Sequence, residues 1–310
     1  MDYTHISDLK INEEGLRDLY LKGLLSGEIY GPLTGKLSQD KPWLKYYTEE
    51  QIIDYYSKKN HGVSNLSIFD YMMKENHNHL DDVALYYFGA KITFRELEKR
   101  ANQFAASVQE KGIKPGDIVT ICMPNTPEAV YAFYGLNKIG VVANMIHPLS
   151  AENEIKDFLN EAKSKMVLTI DASLDKVAAI IDQTDVENAI VVTPDDSMPL
   201  PLKIGYKLKF KKKPLPKDER FSTFKQFMKN GKNKNVSSHE FAEDDIAVML
   251  HTGGTTGRPK GVELTNTNFN SMVEQFKYNM DNFERGEKML TIMPVFHGFG
   301  LCSSLHLPLS

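Results

Sequence analysis

The segment His251-Thr-Gly-Gly-Thr-Thr-Gly-Arg-Pro-Lys-Gly261 concentrates residue types that hold anions. Gly253, Gly254 and Gly257 let backbone N–H groups approach a negative group without Cβ obstruction, and Thr252, Thr255 and Thr256 add hydroxyl donors. Lys260 supplies a mobile positive charge. Placed after an apolar strand, such a loop suits the phosphates of a nucleotide. It is not a Walker A loop, which needs Gly-Lys-Ser/Thr leading into a helix; here Pro259 precedes Lys260 and Gly261 follows. A P-loop GTPase or kinase is thereby disfavoured. A merely flexible polar turn would have to bring three glycines, three threonines and Pro-Lys-Gly together by chance.

A second candidate is Pro294-Val-Phe-His-Gly-Phe-Gly300. It follows an expected strand, at the edge where open α/β sheets bind ligands. His297 can serve a substrate there, or can be satisfied by backbone in a tight turn. His77, Asn78, His79, Asp81 and Asp82 form a polar loop with no second ligand cluster, a weak basis for a metal site. Cys122 and Cys302 sit among apolar neighbours, as buried free thiols do, and receive no catalytic role.

The elements that must position these residues read as an alternation. Thr93 and Glu96 have capping-box spacing, and Phe94, Leu97, Ala101, Phe104, Ala105 and Val108 make an apolar stripe ending near Gly112. Asp117–Met123 reads as a strand. A helix follows with Thr126 as N-cap, Pro127 at its first position and Gly140 after its end. Strands are expected at Val141–Ile146, Met166–Ile170 and Ala189–Thr193, and helices at Ala151–Ala162 behind Ser150 and at Leu174–Asp182. After Glu243, Asp244 and Asp245 the alternation restarts with a strand Ile246–His251, a helix from about Thr267 to Met280, a strand Met289–Met293 and an apolar segment Leu301–Leu309. Apolar strands separated by single helices imply a mainly parallel sheet covered on both faces, an α/β fold.

Between Pro194 and Glu240 the pattern lapses. Lys203, Lys207, Lys209, Lys211, Lys212, Lys213 and Lys217 fall there with no acidic residue until Asp218. The plainer reading is a solvated connection; the sharper one is a patch meeting anionic lipid, a weak peripheral membrane contact, or the phosphates of a charged substrate. Residues 1–65 lack periodicity but carry Trp43, Tyr46, Tyr47, Tyr55 and Tyr56, and read as a helical arm packed on the main body. The expected organisation is arm 1–65, a first α/β subdomain 66–195, the basic connection 196–240, and the start of a second α/β subdomain, 241–310. The net charge of −4 argues against a general nucleic-acid binder. With no export signal visible at the amino end and no apolar run of membrane-spanning length, a cytoplasmic protein is expected.

HTGGTTGRPKG resembles the signature phosphate loop of the adenylate-forming (AMP-binding) superfamily, which includes acyl-CoA synthetases, luciferase and peptide-synthetase adenylation domains. ITFRELEKRANQFAASVQEKGIKPGDIV resembles that family's first conserved helix and strand, MPNTPE the turn after it, and LNKIGVVANMIHPLSAENEI its second conserved block. The similarity runs from about residue 66 to the end. PVFHGFG is similar to the acyl-CoA synthetase form and unlike the Phe-Asp-x-Ser form of peptide synthetases. Gly253 stands where a Ser is usual, and His251 where an aromatic residue is usual.

The resemblance implies two flavodoxin-like subdomains, the second incomplete, and a two-step reaction. A carboxylic acid, of the fatty class, is activated by ATP with Mg²⁺ to an acyl-adenylate, which CoA then captures as a thioester. It also implies that Thr252, Gly253, Gly254, Thr255, Thr256 and Gly257 hold the β- and γ-phosphates, with Lys260 orienting the loop. His297 would lie beside the carboxylate and phosphates, with Phe299 and Gly300 shaping the acyl pocket. The family's Tyr-Gly-x-Thr-Glu segment, ribose-binding Asp, hinge and C-terminal lid with its catalytic Lys have no counterpart in these 310 residues, so the chain alone is expected to have negligible ligase activity. The alternative is a noncatalytic nucleotide-binding or interaction protein on the same fold.

Overall fold

Apolar strands and capped helices alternate along the chain in the computed structural model, which describes residues 66–242, 244–252, 260–279 and 284–310. The expected arm 1–65 lies outside the described residues. In order come α1 (Ile68–Glu75), β1 (Val83–Tyr87), β2 (Ala90–Thr93), α2 (Phe94–Gln109), β3 (Ile118–Cys122), α3 (Pro127–Lys138), β4 (Val142–Met145), α4 (Glu152–Glu161), β5 (Met166–Ile170), α5 (Leu174–Ile180), β6 (Asn188–Val192), α6 (Leu200–Lys209), β7 (Phe221–Thr223), α7 (Phe224–Asn230), β8 (Ile246–Thr252), β9 (Lys260–Thr265) and α8 (Asn266–Asn279). Near the carboxyl end α9 (Gly298–Leu301) runs through a π-helical turn, Cys302–His306, into α10 (Leu307–Leu309). By internal contact the chain divides into two units, Met1–Ser64 with Glu274–Asp281, and Asn65–Val273 with Asn282–Ser310. Apart from the last turns of α8, every element named here belongs to the second.

The caps act where the sequence places them. Thr93 is extended and its hydroxyl accepts from Glu96 N at 3.2 Å, opening α2, while Glu96 itself turns to Arg100 at 2.7 Å. Thr126 caps α3 with Pro127 in the first turn, and Gly140 leaves it at φ +71°, a left-handed conformation that costs glycine little. One expectation shifts: α4 is capped at Ala151, not Ser150. Alanine has no acceptor, and the cap is made by Glu154 Oε2, which accepts from Ala151 N at 2.9 Å.

Seven strands form one sheet in the order β7-β6-β5-β3-β4-β8-β9. Every neighbouring pair is parallel except β8–β9. Alternation within the strands divides the core between the two faces. Leu168, Ile170, Ile190 and Val192 join Leu97, Phe104, Phe133 and Phe227 on one side. Val167, Ala189 and Val191 join Ile155, Phe158, Leu159, Leu174 and Val177 on the other. The sheet is thus sandwiched, with α2, α3 and α7 on one face and α4 and α5 on the other, as expected for parallel strands that are apolar on both sides.

The 194–240 stretch, where the alternation lapses in the sequence, supplies α6, the edge strand β7 and α7. One expectation fails locally. Met289–Met293 joins no ladder among the described residues: Leu290 and Ile292 are 81% and 73% exposed.

Candidate functional site

Strand β8 carries the loop to the carboxyl edge of the sheet. Its apolar part, Ala247–Leu250, is buried beside β4, with Ala143 opposite Val248 and Met145 opposite Leu250. Polarity begins at His251, where the strand leaves the core. The antiparallel ladder with β9 closes at Thr252 opposite Lys260. These two predicted residues are therefore cross-strand partners, both exposed, with Thr252 Oγ1 3.5 Å from the Lys260 carbonyl oxygen. Lys260 forms no ion pair among the described residues. The residues between them, including Gly253, Gly254, Thr255, Thr256 and Gly257, lie outside the described residues.

Beneath Thr252 a chain of polar groups crosses the sheet. His251 Nε2 lies 2.7 Å from Asn144 Oδ1, Asn144 Nδ2 donates to Thr120 Oγ1 at 2.9 Å, and Thr120 meets Ser164 Oγ at 2.5 Å. The Asn144 oxygen can only accept, so Nε2 carries the imidazole proton. That leaves Nδ1 as an acceptor, buried and without a partner among the described residues. The Phe158 ring lies 4.2 Å from the imidazole, and burial lowers the pKa of His251 below its ordinary value, so the ring is neutral at pH 7. The sequence marked His251 only as an unusual residue before the loop. A histidine ending an otherwise apolar strand was the available signal for this role.

The 291–300 segment is pinned to the same edge. Asn125, in the turn between β3 and α3, donates through Nδ2 to the carbonyls of Thr291 at 3.0 Å and Met293 at 2.9 Å, and its Oδ1 accepts from Val295 N at 2.9 Å. His147, just beyond β4, sets its ring at a tilt with its centroid 4.5 Å from that of Phe296. A Cβ on Gly298 would stand 3.4 Å from Leu250 of β8. The segment therefore lies across the carboxyl ends of β3, β4 and β8. Asn125 escaped the sequence reading although MPNTPE had been singled out, because an Asn before a cap reads equally well as turn chemistry.

At the end of this segment His297 is the N-cap position of α9; its N–H donates to Pro294 O at 3.0 Å and its carbonyl accepts from Leu301 N at 2.8 Å. The imidazole is exposed and makes no hydrogen bond among the described residues. Its backbone, not its ring, is what the turn satisfies. Phe299 is 56% exposed, whereas Gly300 is buried with its α-carbon turned to Pro294, where a Cβ would come within 2.0 Å of the carbonyl oxygen. Only glycine fits there. The weaker candidates disperse: His77 Nδ1 meets the Lys74 carbonyl, His79 pairs with Asp82, and Asp81 pairs with Arg95.

The sequence model described as AMP-binding enzyme matches residues 73–310. A long-chain-fatty-acid–CoA ligase of Bacillus subtilis (strain 168) is 32% identical over 231 residues, 73% of this chain and 41% of the relative. A ligase of the same description from Haemophilus influenzae is 28% identical over 273 residues, 84% of this chain and 47% of the relative. The chain thus spans less than half the length of these curated relatives. Among solved structures, an anthranilate CoA ligase in complex with anthranoyl-AMP superposes with a TM-score of 0.67 at 19% identity, over 81% of this chain and 45% of that one. A long-chain-fatty-acid-CoA ligase from Archaeoglobus fulgidus gives 0.62 at 21% identity, over 80% and 46%. A family match across most of the chain, on a sheet whose carboxyl edge gathers Thr252, Lys260, His251, Asn125 and His297, places this chain in the AMP-binding enzyme family.

Proposed function

We propose that these residues form the phosphate-binding part of an ATP-dependent acid–thiol ligase acting on a carboxylic acid, and that the acid is a fatty one. The observation that carries the reading is the HTGGTTGRPKG segment, joined to the carboxyl edge of the sheet by an antiparallel pair that ends at Thr252 and Lys260. The names of the bacterial relatives supply the acid class.

In the first step a carboxylate oxygen attacks the α-phosphorus of ATP, forming the acyl–phosphate bond as pyrophosphate leaves. In the second the sulfur of CoA attacks the acyl carbon, its proton passes to solvent, and AMP departs. No protein nucleophile is needed, so the chain acts by positioning and by stabilising charge. Thr252, the glycines and threonines that follow it, and Lys260 would hold the β- and γ-phosphates. His297, with a free ring at the same edge, would face the carboxylate, and Phe299 and Gly300 the acyl chain. Mg²⁺ would arrive with ATP, in keeping with its habit of binding through phosphate oxygens and few protein ligands. Among the described residues no group of three His, Cys, Asp or Glu side chains is gathered for a metal.

The test measures ATP binding together with acid-dependent exchange of labelled pyrophosphate into ATP, for acids from acetate to long-chain fatty acids. Lys260→Ala is expected to weaken nucleotide binding and to lower any exchange about a hundredfold, the usual cost of one charge-stabilising donor. Exchange with long-chain acids alone supports the fatty-acid reading. ATP binding that is indifferent to Lys260→Ala overturns the assignment of the loop.

A further inference from the structure

Helix α6 reverses the usual arrangement of a surface helix, in which the apolar stripe turns inward and charges face water. None of its residues, Leu200–Lys209, is buried. Two of its three lysines turn toward the protein instead. Lys203 Nζ donates to the Asp196 carbonyl at 3.2 Å, Lys207 Nζ lies 4.0 Å from Asp195 Oδ2, and Lys212, just past the helix, lies 3.6 Å from Asp195 Oδ1. Asp195 is fully buried. Burial works to raise its carboxyl, but the Thr193 hydroxyl and the ammonium groups of Lys212, Lys203 and Lys207 hold it below the usual carboxylate range. The helix is thus fastened by charge and not by packing.

Its apolar side chains go outward. Leu200 and Leu208 are 70% and 85% exposed, and Leu202, Ile204 and Phe210 are about half exposed. Ile204 and Leu208 stand one turn apart on one face. A single exposed leucine is ordinary. A cluster of five large apolar side chains along a helix that buries nothing marks a surface with a partner. Interleaved with them, Lys209, Lys211 and Lys217 are exposed and in no ion pair among the described residues.

We propose that α6 and the basic stretch after it dock on an anionic lipid bilayer. Ile204, Leu208 and their apolar neighbours enter the headgroup boundary while Lys209, Lys211 and Lys217 meet lipid phosphates. Charge complementarity selects this occupant: lysines and large apolar residues alternate along Leu202–Lys213 without one acidic residue, the composition of a helix that lies in an interface. The contact is with the surface, since no helix among the described residues is long and apolar enough to cross a membrane. The proposal stands apart from the ligase reading and survives its failure.

Flotation of the full chain with phosphatidylcholine vesicles containing increasing fractions of phosphatidylglycerol tests it. Binding is expected to rise with the anionic fraction and to fall as salt shortens the Debye length. The double variant Ile204→Glu/Leu208→Glu is expected to bind at least about tenfold more weakly, and Lys209→Gln or Lys211→Gln about fivefold more weakly each. All four positions are exposed, so thermal unfolding of the variants should match that of the parent, and the two lysine variants remain informative should the double variant unfold. Absence of binding to anionic vesicles, or equal binding by the folded variants, overturns the proposal. So does a concentration-dependent dimer that Ile204→Glu/Leu208→Glu dissolves, which would assign the face to a second copy of the chain.

Discussion

Glu128 is a carboxylate in the first turn of α3, 2% exposed, whose Oε1 accepts the Ser197 hydroxyl. Burial raises its pKa above 4.5 more than the Ser197 bond lowers it. The folded state therefore holds this proton more tightly than the unfolded state. The associated stability is fully present below pH 4.5 and is lost as pH rises through the folded-state pKa. Glu128→Gln, which mimics the protonated acid, should unfold at a higher temperature than the parent at pH 7, and the gap should close as pH is lowered toward 4.5. Melting curves at several pH values check this; an equal gap at every pH would show that the charge is not what matters.

Asn125 supplies three of the hydrogen bonds that hold the 291–300 segment, beside the His147–Phe296 ring contact and the Thr291 hydroxyl on the Ser304 carbonyl. Removing three hydrogen bonds, each contributing roughly 0.5–1.5 kcal/mol net, should cost Asn125→Ala about 2–3 kcal/mol in local opening of this segment. Amide exchange at Val295 and His297 is then expected to quicken about 30- to 150-fold, while amides of β5 and β6 keep their protection. Uniform acceleration across the sheet would instead place Asn125 in the global core. Helices with a Thr cap and an apolar stripe, such as α2 and α3, were legible because their signals are local. α6 was not, since nothing in a run of lysines and leucines between prolines announces a helix without a buried face. Met289–Met293 misled for the converse reason: its residues suit a strand, but a strand also needs a neighbour, which no local pattern supplies. Within the candidate site, Thr252 and Lys260 were legible as chemistry, whereas the His251–Asn144–Thr120–Ser164 chain was not. His251, Asn144 and Thr120 lie on three different strands and Ser164 just ahead of β5, and only the sheet order brings them together.

Considered as one body, the sheet keeps its only two thiols out of reach. Cys122 ends β3 and Cys302 opens the π-helical turn; both are buried, and burial pushes each thiol up to about 12. At pH 7.5 the thiolate fraction is then roughly 10⁻⁴ to 10⁻⁵, so native protein should consume almost no thiol reagent, while denatured protein should consume two equivalents per chain. Rapid reaction of one thiol under native conditions would mean that α9 and its π-helical turn open independently of the sheet. The parallel pairing of β4 with β8 has a consequence for synthesis. Val142–Met145 finds its partner on one side in β3, already made, but Val248–Leu250 only about a hundred residues later. At roughly 5–20 residues per second, the bare edge of β4 waits about 5–20 s on the ribosome before β8 can cover it. An unpaired apolar edge held open that long is where nascent chains pair wrongly with one another, so expression yield should depend on the rate of translation through residues 146–252.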